Sequence, residues 1–386
     1  MSRLNYDLQL IDALRRVYGD STQCFLESLD KPPSRYYVRV NTLRTSAEYI
    51  ISKLRGRGIE VYRDEFLKEA IYFPVKGPYG IPPTGKFVVA DKKAAESVML
   101  GSDLYVPGVM GGDFRKGDEV NVVTPFKEVV AYGIAEINSS DIGRVGRGIA
   151  VKVLKSMYEV VKIRELPEFM EGLIYPQSLP SMIVGNLVSP KGGEVVVDMC
   201  AAPGGKTGHL VELSLRKASI YAFDHSKKKV DQMVEELSRL GHAGSVRVFK
   251  ADSRYLHLDF SWLRADKVVV DPPCSALGVV PKLYDSKHYS DIKVLSNYQF
   301  QFLKTAAKIV RDGGLITYST CTVTIEECEE VVERAVKELG LKVVEPEFRL
   351  GSIGITSAPW GAYLMRFHPH IHRTPGYFIA LLKRNS

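Results

Sequence analysis

From about residue 178 to the end of the chain, short apolar runs of β type alternate with helical patterns, and this limits the possible folds more than any other feature. EVVVDMC is followed by a helical pattern from about Gly205, and SIYAFD by KKKVDQMVEELSRLG. VRVFKAD, DKVVVDPPC and GLITYSTCT come next, the last leading into a helix through EECEEVVERAVKELG. Such alternation predicts an α/β fold, a doubly wound parallel sheet with helices on both faces. The closing segments LKVVEP and GYFIALLKR read as two further strands at one edge, with antiparallel pairing there.

The preceding residues are a different material. About residues 86–160 hold short strands (KFVVA, GDEVNVV, VAYGIAEI) between Gly-rich turns, which predicts a small β-barrel. Residues 1–85 mix an amphipathic helix (LQLIDALRRVYG) with βα-type units around YYVRVNTLR, and leave through KGPYGIPPTGK, a Pro/Gly stretch suited to a boundary. The expected division is therefore an α+β segment over 1–85, a barrel over 86–160 and an α/β domain over 161–386, which suits a chain of 386 residues.

Composition narrows the function. With 45% apolar and 25% charged residues, disordered and fibrous architectures are poor candidates. No window approaches the roughly 18–20 apolar residues of a membrane span, and MSRLNYDLQLIDALRRVYG carries acids where a signal peptide would not. A soluble, monomeric, cytoplasmic protein without membrane contact is expected. Cys24, Cys200, Cys274, Cys321 and Cys328 form no CxxC pair, which disfavours a disulfide framework or a structural zinc site, so any special cysteine is a reactive one. The net charge of +7 points to a polyanionic partner. The barrel region, however, carries ten basic and ten acidic side chains. Nucleic-acid contact there would need a local cluster such as Arg144, Arg147, Lys152 and Lys155, or shape.

DMCAAPGGKT, Asp198 to Thr207, is a strand end running through a small-residue loop (Cys200, Ala201, Ala202, Pro203, Gly204, Gly205, Lys206) into a helix. Such a loop lets a ligand approach the backbone. A P-loop would need glycine where Cys200 stands, and GxGxxG is absent. A nucleoside ligand without pyrophosphate remains, and S-adenosylmethionine is the common one on this architecture. Asp224 ends the second strand, 20 residues after Gly204, at the spacing of a ribose-binding carboxylate. Asp252 ends the third strand, where it can accept from an adenine amino group. Any one acid at a strand end is ordinarily a cap or a solvated group. Three in succession after a glycine loop argue for a cofactor site.

Cys274 and Cys321 end the fourth and fifth strands, on the side where doubly wound sheets bind ligands. A lone cysteine there is ordinarily inert core. A pair suits one chemistry. Carbon 5 of cytosine or uracil is a poor nucleophile until a thiolate adds to carbon 6 and makes it enamine-like. A proton at N3, from a carboxyl such as Asp271, stabilises the adduct. A second cysteine can then remove the carbon-5 proton.

DMCAAPGGKT, FDHSKKK, KADSRYL, VVVDPPCSALG, YSTCTVTIEECEEVV and PHIHRTPGYFIALLKR, in that order, resemble the successive motifs of the Nop2/Sun (NOL1/NOP2/sun) family of RNA 5-methylcytosine methyltransferases. QSLPSMIVGNLVSPKGG and RVNTLR are similar to its lead-in segments. The resemblance implies a Rossmann-like class I methyltransferase core that uses S-adenosylmethionine. It further implies Cys321 as nucleophile, Cys274 in product release, and Asp271 and Lys206 in contact with base, cofactor or both. The segment from VVADKKAAESVML to VAYGIAEI resembles a PUA domain, an RNA-binding fold. Its insertion ahead of the core resembles the NSUN-six branch, which implies a tRNA partner and a target cytosine near the 3′ acceptor end. The same chemistry at another tRNA or rRNA cytosine, a P-loop hydrolase with an RNA-binding barrel, and a non-catalytic RNA-binding module are the competing readings.

Other residues receive plainer assignments. His368, His370 and His372 alternate like ligands on one strand face, but no Asp, Glu or Cys set accompanies them, so no metal is expected. Cys328 is expected on a helix among glutamates that raise its pKa. Cys200 reads as a packing residue that offers its backbone to the cofactor, and Lys227 to Lys229 as a solvated helix start.

Overall fold

The computed structural model describes residues 4–385; residues 1–3 and 386, at the outer ends of the first and third expected regions, lie outside the described residues. The largest sheet has eight strands. From one edge they run Val246–Lys250, Ser219–Asp224, Val195–Asp198, Ala265–Val270, Val310–Thr320, Tyr377–Lys383 and Lys342–Val343, with Met365–Phe367 also pairing Tyr377–Lys383. The first five are parallel and Tyr377–Lys383 is antiparallel to its neighbours. The central strands are near-continuous Val/Ile runs because helices cover both faces. Helix Lys227–Arg239 shows how: Ser226 caps it by accepting from the Lys229 amide, and Val230, Met233 and Leu237 form its buried stripe. Strand order reverses between Val195–Asp198 and Ala265–Val270, which opens a crevice at their carboxyl ends.

The regions upstream are interleaved with this domain. Strands Ile174–Pro176, Arg35–Val40, Ala70–Pro74 and Tyr62–Arg63 form a second sheet in that order. Ile174–Pro176 falls in the third expected region yet covers the otherwise open edge of Arg35–Val40. Helices Leu8–Tyr18 and Thr22–Ser28 instead pack on the large-sheet domain, where Leu10, Leu14, Phe25 and Leu29 share a core with Leu277, Val280, Ile292 and Val323. Six strands between Phe87 and Ser156 make the barrel sheet, with helix Lys92–Val98 against it. The barrel leans on the segment that follows Cys274: Lys92 Nζ lies 2.8 Å from Asp285 Oδ1, Glu96 accepts from the Leu283 amide at 3.2 Å, and Phe126 meets Tyr284 edge-on.

Two sequence expectations need correction. HPHIHR is not a strand. Met365–Phe367 stops before it and Pro369–His372 forms a short helix, begun by a proline whose fixed φ suits the first helical position. His368 contacts the Tyr18 hydroxyl at 3.0 Å, and burial depresses its pKa to about 3, so it packs as a neutral ring. Cys328 is not within a helix but caps the start of Glu329–Leu339; its pKa is raised first by burial, with the glutamates adding to it.

Candidate active site

The crevice is a cleft of about 250 Å³. Cys200, Ala202, Asp224, Asp252, Asp271, Cys274 and Cys321 all line it, which brings the glycine loop, three strand-end acids and both cysteines into one place. Ala201, Pro203, Gly204, Gly205 and Lys206 do not line it. They turn the chain instead: the Ala201 amide donates to Phe223 O at 2.9 Å, and Gly204, at φ 104°, enters helix Gly205–Leu213 through a conformation that favours glycine. Lys229 reaches the cleft, whereas Lys227 pairs with Asp231 along its own helix.

Asp224 is nearly buried, and its Oδ1 accepts from the Ser226 amide at 3.0 Å. Asp252 is gripped by Arg254, with Nε 3.0 Å from Oδ1 and Nη2 2.5 Å from Oδ2, and this pairing lowers its pKa. Both present acceptors to the cleft and fit a ribose diol and an adenine amino group. Asp224→Ala and Asp252→Ala are each expected to weaken cofactor binding by about 1.5–3 kcal/mol, the worth of a hydrogen bond to a charged group. Unfolding should stay cooperative. Unchanged affinity by calorimetry in both variants would remove these acids from the site.

Beside the cleft, Cys274 Sγ and Cys321 Sγ are 3.2 Å apart. Either sulfur can donate to the other; the contact lowers the Cys321 pKa and Lys206 lowers it further, against burial and the Asp271 carboxylate. The same bond, together with burial, raises Cys274. One proton shared across this gap leaves one sulfur free to act as thiolate while its neighbour remains a thiol. Asp271 is the hub of a second cluster: Lys206 Nζ is 2.5 Å from its Oδ2, while Ser319 and Tyr377 hydroxyls donate to its Oδ1 at 3.1 Å each. Burial opposes the Lys206 ammonium, yet Asp271 and Tyr377 hold its pKa well above the usual lysine value. Beneath the loop Asp198 accepts from Thr207 Oγ1 at 2.7 Å, and burial raises its pKa to about 6.

Sequence reasoning missed Ser319, Tyr377 and Glu327. Tyr377 opens the last strand, and only the antiparallel register, Ser319 against Ile379, brings it near Asp271. No local spacing encodes that meeting.

Known proteins resemble this chain in sequence and fold. Residues 186–383 match the family model of the 16S rRNA methyltransferase RsmB/F, residues 86–157 that of the PUA domain, and residues 8–78 the ferredoxin-like domain of RsmF/B-like methyltransferases. The tRNA (cytosine(72)-C(5))-methyltransferase of Pyrococcus horikoshii is 38% identical over 382 residues, spanning 97% of this chain and 96% of its own. The chain belongs to the RsmB/F family of RNA methyltransferases. Within that family, human tRNA (cytosine(72)-C(5))-methyltransferase NSUN6 is 26% identical, over 90% of this chain and 82% of its own. The crystal structure of NSun6 from Pyrococcus horikoshii with SFG, an S-adenosylmethionine analogue, superposes with a TM-score of 0.90 at 37% identity and covers 99% of both chains. The resemblance to Nop2/Sun enzymes is thus a family relationship, and the protein is an S-adenosylmethionine-dependent RNA (cytosine-C5) methyltransferase with a PUA barrel.

Proposed function

We propose that this enzyme methylates carbon 5 of a cytosine near the acceptor end of tRNA, a position-72 type of site, with Cys321 as nucleophile and Cys274 as the base of the release step. The observation that carries the chemistry is the 3.2 Å approach of two thiols that both line the cofactor cleft. S-adenosylmethionine, cradled between Cys200, Ala202, Asp224 and Asp252, supplies a methyl group made electrophilic by its sulfonium. Cys321 adds to carbon 6 of the base. Lys206 and Asp271 together form the proton source for N3, because their close contact makes them one unit. Carbon 5 then takes the methyl group, leaving a neutral thioether. Cys274, having lost its own proton to solvent, takes the proton from carbon 5, the electron pair forms the carbon 5–carbon 6 double bond, the bond to Cys321 breaks, and N3 returns its proton to the Lys206–Asp271 pair. The target assignment draws on the near full-length match to the Pyrococcus horikoshii enzyme. We assign residues 1–85 mainly to the ferredoxin-like region, 86–160 to the PUA domain and 161–386 mainly to the methyltransferase domain. A tRNA substrate also suits the cytoplasm, and among the described residues no helix is long and apolar enough to cross a membrane.

Methyl transfer from labelled cofactor to bulk tRNA, followed by bisulfite mapping, tests the reading. Label confined to a cytosine outside the acceptor stem would overturn the target. RNA contact by the barrel also makes a prediction. Arg144 and Arg147 lie on an exposed turn, Lys155 lines a separate cleft, and Lys152 is taken up by Asp103 at 2.7 Å, so the four do not act as one cluster. Arg144→Ala with Arg147→Ala should weaken tRNA binding and flatten the plot of log affinity against log salt by about one unit per lost phosphate contact. An unaltered slope in filter binding would clear this turn of RNA.

A further inference from the structure

Glu327 lies two residues before helix Glu329–Leu339 and is fully buried. Its Oε1 accepts from the Ser275 amide and from Gln299 Nε2, both at 2.8 Å. Its Oε2 accepts from the hydroxyls of Ser275 at 2.5 Å, Thr322 at 3.1 Å and Thr324 at 3.2 Å. Ser275 is the residue after Cys274 and Thr322 the residue after Cys321, and their two hydroxyls also meet at 2.6 Å. Gln299 closes the other side by donating to the carbonyl of Pro273, the residue before Cys274, at 3.1 Å. Two loops from different strands are thus tied to one carboxylate, each at the residue next to a thiol.

An isolated buried carboxylate is costly, and five donors rather than a cation offset part of that cost, burial still raising the Glu327 pKa. A carboxylate is suited to the task because it only accepts. The Ser275 amide and the Gln299 NH₂ can only donate, so Oε1 must be free to receive, while the carboxylate charge draws the Ser275, Thr322 and Thr324 hydroxyls to donate to Oε2. We infer that Glu327 is a positioning residue for catalysis: it sets the separation of the Cys274 and Cys321 sulfurs by bonding the residue that follows each of them. The inference deepens the reading proposed above, since it takes those two cysteines as the working pair. Glu327 does not itself line the cofactor cleft and acts through residues that do, Cys274 and Cys321.

Phenylarsine oxide measures that geometry without RNA. Its arsenic bonds two thiols and releases its oxygen as water with their two protons, and it captures a preorganised pair most tightly. In the full-length parent, peptide mapping should find one arsenical bridging Cys274 and Cys321. Glu327→Gln keeps the shape but removes the charge and forces the Ser275, Thr322 and Thr324 hydroxyls to turn from donating to accepting. It should weaken capture at least tenfold and lower kcat at least tenfold, with KM for tRNA, cofactor affinity and thermal unfolding nearly unchanged. Ser275→Ala and Thr322→Val each remove one tether and should show the same pattern more mildly, which keeps the test decisive if Glu327→Gln folds poorly. Unchanged arsenical capture in all three variants, or losses shared equally by cofactor affinity and unfolding temperature, would overturn the inference. Failure of the cysteine roles themselves would register separately, in the RNA adduct experiment described below, because arsenical capture involves no cytosine.

Discussion

Cys274→Ala, supplied with tRNA and cofactor, is expected to accumulate a covalent protein–RNA adduct that survives denaturing electrophoresis, whereas Cys321→Ala forms none. The order of the chemical steps dictates the difference. Without Cys321 no sulfur adds to carbon 6, carbon 5 is never activated, and methylation stops before it starts. Without Cys274 the attack and methyl transfer can still occur, but the proton on carbon 5 stays in place and the bond to Cys321 cannot break. Loss of a positioned base costs about 10²–10⁴-fold in turnover, enough to make the adduct the dominant species at the end of one turnover. The electrostatics point the same way, since Cys321 is the thiol whose pKa is lowered and Cys274 the one whose pKa is raised. An adduct trapped by Cys321→Ala instead would reverse the two roles, and its absence from both variants would show Cys274 to be structural. The double variant must also lack it.

The parts of this enzyme that were legible in the sequence are those whose signals are local. The parallel sheet follows from Val/Ile runs of strand length between helical patterns, and the cleft from acids and cysteines at the ends of those runs, because strand ends in such a sheet face one crevice. The barrel follows from short strands and glycine turns. What could not be read are meetings set by tertiary register. Tyr377 reaches Asp271 across 106 positions of chain, and Glu327 reaches Ser275 across 52. Ile174–Pro176 joins a sheet whose other strands lie before the barrel, which no composition shift announces. The histidines of HPHIHR misled for a related reason: alternation suggested a strand, but Pro369 removes a backbone donor and starts a helical turn. Arg254 was overlooked because a cation two residues from an acid has no fixed meaning until the backbone turns them together. It does so here, in the short helical turn Ser253–Tyr255 that Asp252 caps.

Asp271→Asn should abolish turnover far more completely than loss of any one of its neighbours. Three donors converge on the carboxylate, from Lys206 at 2.5 Å and from Ser319 and Tyr377 at 3.1 Å each. An asparagine can keep its oxygen toward Lys206 and turn its NH₂ to the Ser319 and Tyr377 hydroxyls, which can accept, so what the site loses is the negative charge. The lysine then loses its counter-charge in a site where burial already opposes its charge. The proton route to N3 is cut, so attack at carbon 6 has nothing to stabilise the resulting anion, and a loss of about 10²–10⁴-fold is expected from the acid–base contribution alone. Because this block precedes bond formation, Asp271→Asn placed in the Cys274→Ala background should also prevent the adduct from forming. Tyr377→Phe removes one hydrogen bond to an oxygen that Ser319 still serves, worth about 1.5–3 kcal/mol at a charged acceptor. It should slow turnover roughly 10- to 100-fold and leave adduct formation detectable. Single-turnover kinetics in both backgrounds separate the cases. A Cys274→Ala adduct that forms equally fast with Asp271 or asparagine at position 271 would show that N3 is protonated by another group.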